Sequence, residues 1–261
     1  MNLHDETQAI APQVCRSSLP GFEHVRGFGV FAAPFESGHV LALRVFPEND
    51  FAPYKTIWHR SPEGAWSIFV DAPRHDIACP RYFGSAASLI QSAGIRLAWT
   101  GSTKLRVEMD APRFVWDLAM TSSPILGLMN LANPRFPERV RRSPGMLRAM
   151  ESMADRVLGL GHVTLAGITP NGHSTMLLPE RMFFLASSRA VFESVDLGQP
   201  ARGGACPTIG VMNLPARPVF AIGRAYFELR DPVEYERTVR ELAEDDGRSE
   251  RSETELHSSV L

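Results

Sequence analysis

From Phe28 onward the chain is a succession of short apolar runs, each about five to nine residues long, separated by proline and glycine. The runs are rich in β-branched and aromatic residues, and 20 glycines and 20 prolines supply the turns. This combination is typical of β-strands joined by hairpins. The sequence therefore predicts a mainly β fold with added helices, an antiparallel β-barrel that encloses a cavity for a small molecule.

A helical excursion at about residues 124–158 interrupts the strands. Ser143 followed by Pro144 is a typical helix start, and methionines recur after it at three- and four-residue spacing. A second apolar helix is expected before it, at about 124–132. Strands resume after the excursion, so the helices form an insertion within one domain.

The two ends of the chain differ from this middle part. Residues 1–27 predict an extended lead-in, and residues 28–243 a single barrel-like domain. Asp231 and Pro232 supply an N-cap and a first-turn proline, which predict a short C-terminal helix. Residues 244–261 are charged and nearly free of apolar side chains, which predicts a disordered tail.

Composition narrows the class of protein. The net charge of -2 argues against a general affinity for nucleic acid. Three cysteines leave one unpaired and favour a reducing compartment over a disulfide framework. No apolar run reaches the roughly 18 residues of a transmembrane segment, and no secretory signal is recognisable, so we expect a cytoplasmic protein. A homo-oligomer remains an open alternative.

The segment WHRSPEGAW, residues 58–66, predicts a β-hairpin with Ser61–Gly64 as its loop. That loop would place His59 opposite Trp66 and Lys55 opposite Val70. Each face would be partly apolar, so both faces should be covered. One face would carry Lys55, Ile57, His59, Trp66, Ile68 and Val70, and the other Tyr54, Thr56, Trp58, Ser67, Phe69 and Asp71.

Two of these side chains allow a catalytic and a structural interpretation. Lys55 in apolar surroundings would have a lowered pKa and could form a Schiff base with a carbonyl substrate. A strand lysine more often extends its ammonium group into water. His59 could act as a general acid or base, although an imidazole beside an indole near a hairpin turn is more often packed.

The segment DAPRHDIACPRYFG, residues 71–84, is the densest group of reactive side chains in the chain. Irregular segments on a rigid scaffold often carry functional groups. His75, Cys79 and Cys206 match no zinc spacing, so neither a metal nor another cofactor is predicted. A further candidate outside the segment is Asp117, which lies on the strand face opposite Trp116. The candidate catalytic residues are Lys55, His59, Asp71, His75, Arg81 and Asp117.

Three stretches resemble the acetoacetate decarboxylase-like superfamily of β-barrel proteins, namely YKTIWHRSPEGAWSIFVD, CPRYFGSAASL and NLPARPVFAIGRAYFELR. Arg81, Phe83 and Gly84 match that family's Arg and aromatic-Gly segment. In the family this segment continues into a proline and the Schiff-base lysine, whereas Ser85 and two alanines follow here. The resemblance thus implies the barrel and a small organic ligand, and the decarboxylase lysine is missing at the matching position. A lipocalin-like barrel, as in the carotenoid-hydratase group, fits the strand pattern as well.

The sequence therefore predicts an enzyme that binds an apolar or aromatic substrate and performs metal-free acid/base chemistry of the lyase or isomerase type. Substrates that contain a carbonyl group belong to this class. The alternative is a non-catalytic carrier or sensor of a small hydrophobic molecule. An interaction scaffold with a fully filled core is a third hypothesis. The candidate ligand-binding residues are Tyr54, Trp58, Trp66, Phe69, Tyr82, Trp116 and His173.

Overall fold

A computed structural model describes residues 2–201 and 203–258. Strands predominate, which confirms the expected mainly β fold. The strands in these residues are β1 (Gln13–Val14), β2 (Phe22–Pro34), β3 (Val40–Asn49), β4 (Tyr54–Arg60), β5 (Trp66–Asp71), β6 (Ala87–Ser92), β7 (Ile95–Gly101), β8 (Lys104–Met109), β9 (Phe114–Thr121), β10 (Ala166–Ile168), β11 (Ser174–Phe192), β12 (Val195–Asp196), β13 (Thr208–Ile209), β14 (Met212–Asn213) and β15 (Val219–Glu228).

The helices lie before, between and after these strands. No helix within the described residues has both the length and the apolar character needed to cross a bilayer. Single turns of 3-10 helix lie at His75–Ile77, Gly84–Ala86 and Asn133–Arg135. The α-helices are α1 (Leu3–Gln8), α2 (Pro80–Phe83), α3 (Pro124–Ala132), α4 (Glu138–Arg141), α5 (Pro144–Arg156) and α6 (Pro232–Ser258).

Helices α3, α4 and α5 occupy the segment for which the sequence predicts a helical excursion. The Ser143 hydroxyl accepts a hydrogen bond from the Met146 amide, as an N-cap should. Helix α6 is longer than the short helix expected and continues through residues 244–258, where the composition predicts disorder. Glu and Arg, frequent there, are good helix formers. The last three residues of the predicted tail lie outside the described residues.

The N-terminal segment differs from the expected extended lead-in. Residues 3–8 form α1, in which Leu3 and Thr7 are buried, and β2 already begins at Phe22. The Leu3 amide donates to the Ser102 carbonyl at 2.8 Å. Burial of Leu3 stabilises a helix that its short sequence pattern alone does not reveal.

One large sheet contains thirteen strands of the described residues, and its main path runs β6-β5-β4-β3-β2-β15-β11-β9-β8-β7. Neighbours on this path are antiparallel except β5 and β6, which are parallel. The sheet curls into a half-barrel. Strands β6 and β7, which follow one another in the chain, therefore lie at opposite ends of the path.

Side chains from β4 and β5 reach the first residue of β7. Lys55 donates from Nζ to the Ile95 carbonyl at 2.7 Å, and Asp71 accepts from the Ile95 amide at 3.0 Å. Lys55 and Asp71 also form an ion pair at 2.6 Å. We call Lys55, Asp71 and Ile95 the clasp, because they link the β4–β5 hairpin to the far end of the sheet.

The predicted register of the β4–β5 hairpin is wrong by one residue. Ser61 donates from its amide to the Ala65 carbonyl at 2.9 Å, so the connection spans residues 61–65 and not 61–64. Arg60 therefore pairs with Trp66 and His59 with Ser67. A shift of one residue moves every side chain of one strand to the other face. Trp66, Ile68 and Val70 thus share a face with Trp58, and Phe69 and Asp71 share a face with Lys55 and His59.

The two faces of the sheet are covered by different structures. One face, which we call the core face, packs large side chains against each other inside the curl of the sheet. The other, which we call the cavity face, is covered by α2, α3, α5 and the β13–β14 hairpin. Typical side chains of the core face are Phe28, Val30, Leu43, Ile57, Phe114, Trp116 and Phe220, all less than a tenth exposed.

Candidate functional site

A cavity of about 120 Å³ lies between the cavity face and the helices. Its floor consists of small residues on two neighbouring strands, β2 and β15. Gly27 pairs with Gly223 and Gly29 with Ala221, so the four residues lie side by side on one face. The sheet therefore contributes almost no side-chain volume at the place where the cavity lies.

The glycines of the floor are also required by the backbone. A Cβ atom on Gly29 would lie 2.0 Å from the Leu43 carbonyl oxygen, and one on Gly27 would lie 1.8 Å from that of Val45. The register between β2 and β3 shifts on both sides of Phe28. Glycine within a strand commonly marks such a bulge, where another backbone approaches closely.

Aromatic and methionine side chains form the walls of the cavity. Met129 of α3 and Met150 of α5 contribute from the helices. Flexible thioether side chains adapt to irregular apolar surfaces, which suits a site that accepts a ligand. The main apolar lining residues are Phe31, Phe46, Trp58, Phe83, Leu177, Met182, Met212, Leu214 and Phe227.

Arg44 on β3 is a charged side chain in the lining of the cavity, and its contacts indicate which chemical groups a ligand could present to it. Its Nη2 donates to the Phe31 carbonyl at 2.9 Å, and its Nη1 donates to the carbonyls of Val30 and Leu43. The guanidinium carbon lies 5.0 Å from the ring centres of both Phe31 and Trp58. Burial, which disfavours the charged form, lowers the Arg44 pKa to about 10. Arg44 therefore remains a cation at neutral pH.

A buried hydroxyl and thiol lie next to Arg44. Trp58 donates from Nε1 to the Thr56 hydroxyl at 3.0 Å, and that hydroxyl donates to Cys79 Sγ at 3.4 Å. Cys79 lines the cavity, and burial raises the pKa of its thiol. Burial likewise raises the pKa of Tyr54, whose hydroxyl lies 3.9 Å from Cys79 Sγ. These groups are neutral at pH 7 and act as hydrogen-bonding side chains.

Arg224 also lines the cavity but has acidic partners. Its Nε lies 3.0 Å from Glu180, and its Nη1 lies 3.7 Å from Glu138. Glu138 also accepts a hydrogen bond from the Tyr226 hydroxyl at 2.6 Å. Arg224 therefore belongs to an ion-pair network at the rim, whereas none of the ion pairs of the described residues includes Arg44.

The predicted catalytic residues on the β4–β5 hairpin lie on the core face, away from the cavity. Lys55 and Asp71 form the clasp with Ile95. His59 is buried, its Nε2 lies 2.8 Å from Nδ1 of His39, and its ring stacks on Phe192 at 4.3 Å. Burial and the neighbouring His39 lower the His59 pKa to about 4.

The other predicted catalytic residues are dispersed. His75 bonds to the Ser92 hydroxyl at 2.7 Å. Arg81 is buried in an ion pair with Glu23 at 2.7 Å. Asp117 is about half exposed on the outer side of β9, 3.7 Å from Arg106. The structure therefore does not bring the six predicted catalytic residues together, and the described cavity lining includes none of them.

Among the predicted ligand-binding residues, only Trp58 lines the cavity. Phe69 and Trp116 lie on the core face, where Trp116 donates to the Ser188 hydroxyl at 2.8 Å. The remaining four pack around the cavity walls without lining them. Trp66 donates to the Thr208 carbonyl, Tyr54 lies near Cys79, Tyr82 stacks on Phe227 and donates to Glu23, and His173 contacts the Tyr82 ring.

Arg44 and the small-residue floor are functional features that the predictions from the sequence do not include. A signal for the floor is present in the alternation of small and large residues in RGFGVF, residues 26–31, and FAIGRA, residues 220–225. Alternation of this kind predicts that one face of both strands lacks volume. The same pattern does not locate Arg44, because its strand neighbours Leu43 and Val45 resemble those of any buried strand.

A separate group of potential metal ligands lies where β1, β2 and β3 meet. Ligand atoms of Cys15, His24 and Glu48 lie within 4.8 Å of one another. His24 Nδ1 lies 2.6 Å from Asp50, and its Nε2 lies 3.4 Å from Glu48. Burial opposes the charge of His24, but these two carboxylates raise its pKa. An ion-pair network therefore accounts for these contacts. His75, Cys79 and Cys206, the residues considered above for zinc, are not part of this group in the described chain.

Comparisons with protein-family profiles, with curated proteins and with solved structures found no match to this chain.

Proposed function

We propose that this protein binds a small, mainly apolar organic molecule between its sheet and its helices, as a carrier or sensor. The observation that carries the proposal is the cavity of about 120 Å³ above a floor of three glycines and one alanine. An apolar cavity of about 150 Å³ in another protein holds a benzene molecule, so this volume suits a small ring or a short acyl chain.

The chemistry of the lining favours binding over acid/base catalysis. The described lining residues include no aspartate, glutamate, histidine or lysine. The titratable side chains that remain are Arg44, Arg224 and Cys79, and none is suited to exchange a proton near neutral pH. The lyase or isomerase hypothesis stays a prediction, and it would require a catalytic group that the cavity lining does not supply.

The Schiff-base form of that hypothesis finds no support in the lining. Lys55 and Lys104 are the two lysines of the sequence, and neither lines the cavity. The acetoacetate decarboxylase-like and lipocalin-like resemblances likewise stay proposals. A curled sheet and a small organic ligand are the features that these families have in common with the proposed function.

The methionine-containing helices support the role of a cover for a bound molecule. Met129 and Met150 line the cavity from α3 and α5, and Asn130 of α3 holds the cover to β11. Its amide donates to the Met182 carbonyl at 2.9 Å and accepts from the Met182 amide at 2.8 Å. Buried Leu126 and Leu147 also pack the cover onto the sheet, so a ligand would enter by local displacement of these helices without unfolding of the core face.

A cavity-filling substitution tests the proposal. Ala221→Leu adds three carbon atoms to the floor, so binding of 1-hexanol, measured by calorimetry, should weaken about tenfold or more. The matched control is Ala119→Leu on β9, which is outside the cavity lining and should bind as the wild type does. Equal binding by both variants would contradict the proposal.

A further inference from the structure

Arg44 carries information about the ligand that the apolar walls do not. A guanidinium group has five N–H donors. Three are used by the carbonyls of Val30, Leu43 and Phe31. The Nε–H and one N–H of Nη2 therefore have no acceptor among the described residues. Both belong to a side chain that lines the cavity, so a bound molecule can accept from them.

The charge of Arg44 has no nearby compensation. The ion pairs of the described residues do not include Arg44, and the described cavity lining contains no carboxylate. The three carbonyls and the rings of Phe31 and Trp58 stabilise the cation only through dipoles and quadrupoles. A partly buried charge without an opposite charge nearby is unfavourable, and an anion that approaches it regains some of that free energy.

Resting on the proposed function, we infer that the natural ligand is a monocarboxylate with an apolar body, whose carboxylate accepts hydrogen bonds from Arg44 while the body lies against the small-residue floor. A carboxylate has two oxygens, which match the two free N–H groups. A phosphate would retain further oxygens that the described lining, with Thr164 and Cys79 as its other small polar groups, could not satisfy. A neutral carbonyl could accept the hydrogen bonds but would leave the charge uncompensated.

Arg224 shows by contrast why Arg44 is the anchor. The two arginines line the same cavity, but Arg224 is held by Glu180 and Glu138. An added carboxylate there would approach two existing carboxylates and would be repelled by them. The anion should therefore lie at the Arg44 end of the cavity, beside Trp58.

The experiment compares three ligands with one apolar body and different head groups, hexanoate, 1-hexanol and hexylamine, by calorimetry at pH 7. The wild type should bind hexanoate about 10- to 100-fold more tightly than 1-hexanol, as expected for a hydrogen-bonded charge, and hexylamine most weakly. In Arg44→Met the preference for hexanoate should fall to about threefold or less, with 1-hexanol binding retained. Arg44→Lys, which keeps the charge but loses the planar group, should retain part of the preference.

Arg60→Met is the matched control, because it removes a positive charge from the neighbouring strand β4 without changing the cavity lining. It should keep the full preference for hexanoate. Equal affinity of the wild type for hexanoate and 1-hexanol would overturn the inference about Arg44 and leave the binding function standing. The same conclusion follows if circular dichroism shows that Arg44→Met is folded and this variant keeps the preference for hexanoate. Absence of binding for all three ligands would remove the proposed function as well.

Should Arg44→Met fail to fold, because three carbonyls lose their donor, the wild-type comparison of head groups and Arg44→Lys still decide the question. A hexanoate preference that Arg44→Lys leaves at full strength would contradict recognition by a planar guanidinium.

Discussion

The two faces of the sheet are built by the same strands and differ in the size of the side chains that β2 and β15 present. Phe28 and Val30 enter the core face, where they pair with Ile222 and Phe220. The intervening positions present glycine and alanine to the cavity face. The cavity is therefore produced by missing side chains at these positions of β2 and β15, within a face that is otherwise packed as the core face is.

The greatest loss of stability is expected where a glycine of the floor receives a side chain. Gly29→Ala would place a Cβ atom 2.0 Å from the Leu43 carbonyl oxygen, so part of the β2–β3 pairing must move. We expect a loss of more than about 5 kcal/mol in the free energy of unfolding, or no folded protein. Gly94→Ala is the control, because a Cβ atom there would meet nothing within 4 Å and the change should be within about 0.5 kcal/mol. Urea unfolding that gives equal stabilities would show that the bulge can relax.

Truncation of a large side chain on each face tests the contrast directly. Phe114 is fully buried on the core face, and Phe114→Ala should cost about 3–5 kcal/mol because it leaves a cavity in a packed region. Met129 is half-buried and lines an existing cavity, so Met129→Ala should cost about 1 kcal/mol or less. Chemical denaturation of both variants gives the two values. Similar losses would mean that the helical cover contributes as much stability as the core.

The edge of the core face should make stability depend on pH through His59. Its pKa falls from 6.5 to about 4 because the ring is buried beside His39. The unfolded chain therefore binds this proton at a higher pH than the folded chain, so the stabilisation is complete above about pH 6.5 and is lost as the pH falls toward about 4. Between pH 7 and pH 5 we expect the wild type to lose about 2 kcal/mol more than His59→Gln does.

The control for that measurement is His162→Gln, which changes a largely exposed histidine and should follow the wild type at both pH values. If His59→Gln also follows the wild type, the ring is hydrated in solution and the core face is less tightly packed there than the structure indicates.

The smallest change in stability concerns the clasp, which lies on the core face but links the hairpin to β7 through polar contacts. Lys55→Met removes an ion pair that is about one third exposed, so the free energy of unfolding should fall by about 1 kcal/mol or less. The Ile95 amide should exchange its hydrogen faster, because Asp71 loses the partner that orients it. Borohydride treatment with simple ketones should label the wild type and Lys55→Met equally. Selective labelling of the wild type would restore the Schiff-base hypothesis.

Strands with a clear apolar run or alternation were predictable from the sequence, whereas β6 and the two-residue strands β1, β13 and β14 were not predicted. Alternation in RFVWDLAM places Trp116 and Leu118 inside and Asp117 outside, and the structure agrees. The hairpin register was not predictable, since a loop that ends at Gly64 and one that ends at Ala65 suit the same residues. This difference of one residue in the loop determines whether Trp66 lies on the same face as His59 or on the same face as Trp58.

The site was harder to predict than the strands, because it depends on contacts between distant segments. Reactive side chains such as His75, Arg81 and Asp117 attract attention in a sequence, yet each meets a different neighbour. Arg44 is one of 25 arginines, and what distinguishes it from Arg224, the other arginine of the described lining, is that it lines the cavity without an acidic partner. A sequence shows which side chains are charged, but it does not show which of them have an oppositely charged partner in the fold.

The small-residue floor also separates two properties that are usually coupled during evolution, namely the shape of the binding site and the packing that stabilises the fold. Substitutions at Ala221 or Ala225, which line the cavity, change its volume without altering a side chain of the core face. Selectivity for ligands of different size can therefore drift through a series of stable intermediates. A chain built in this way can acquire a new ligand while its folding requirements stay constant.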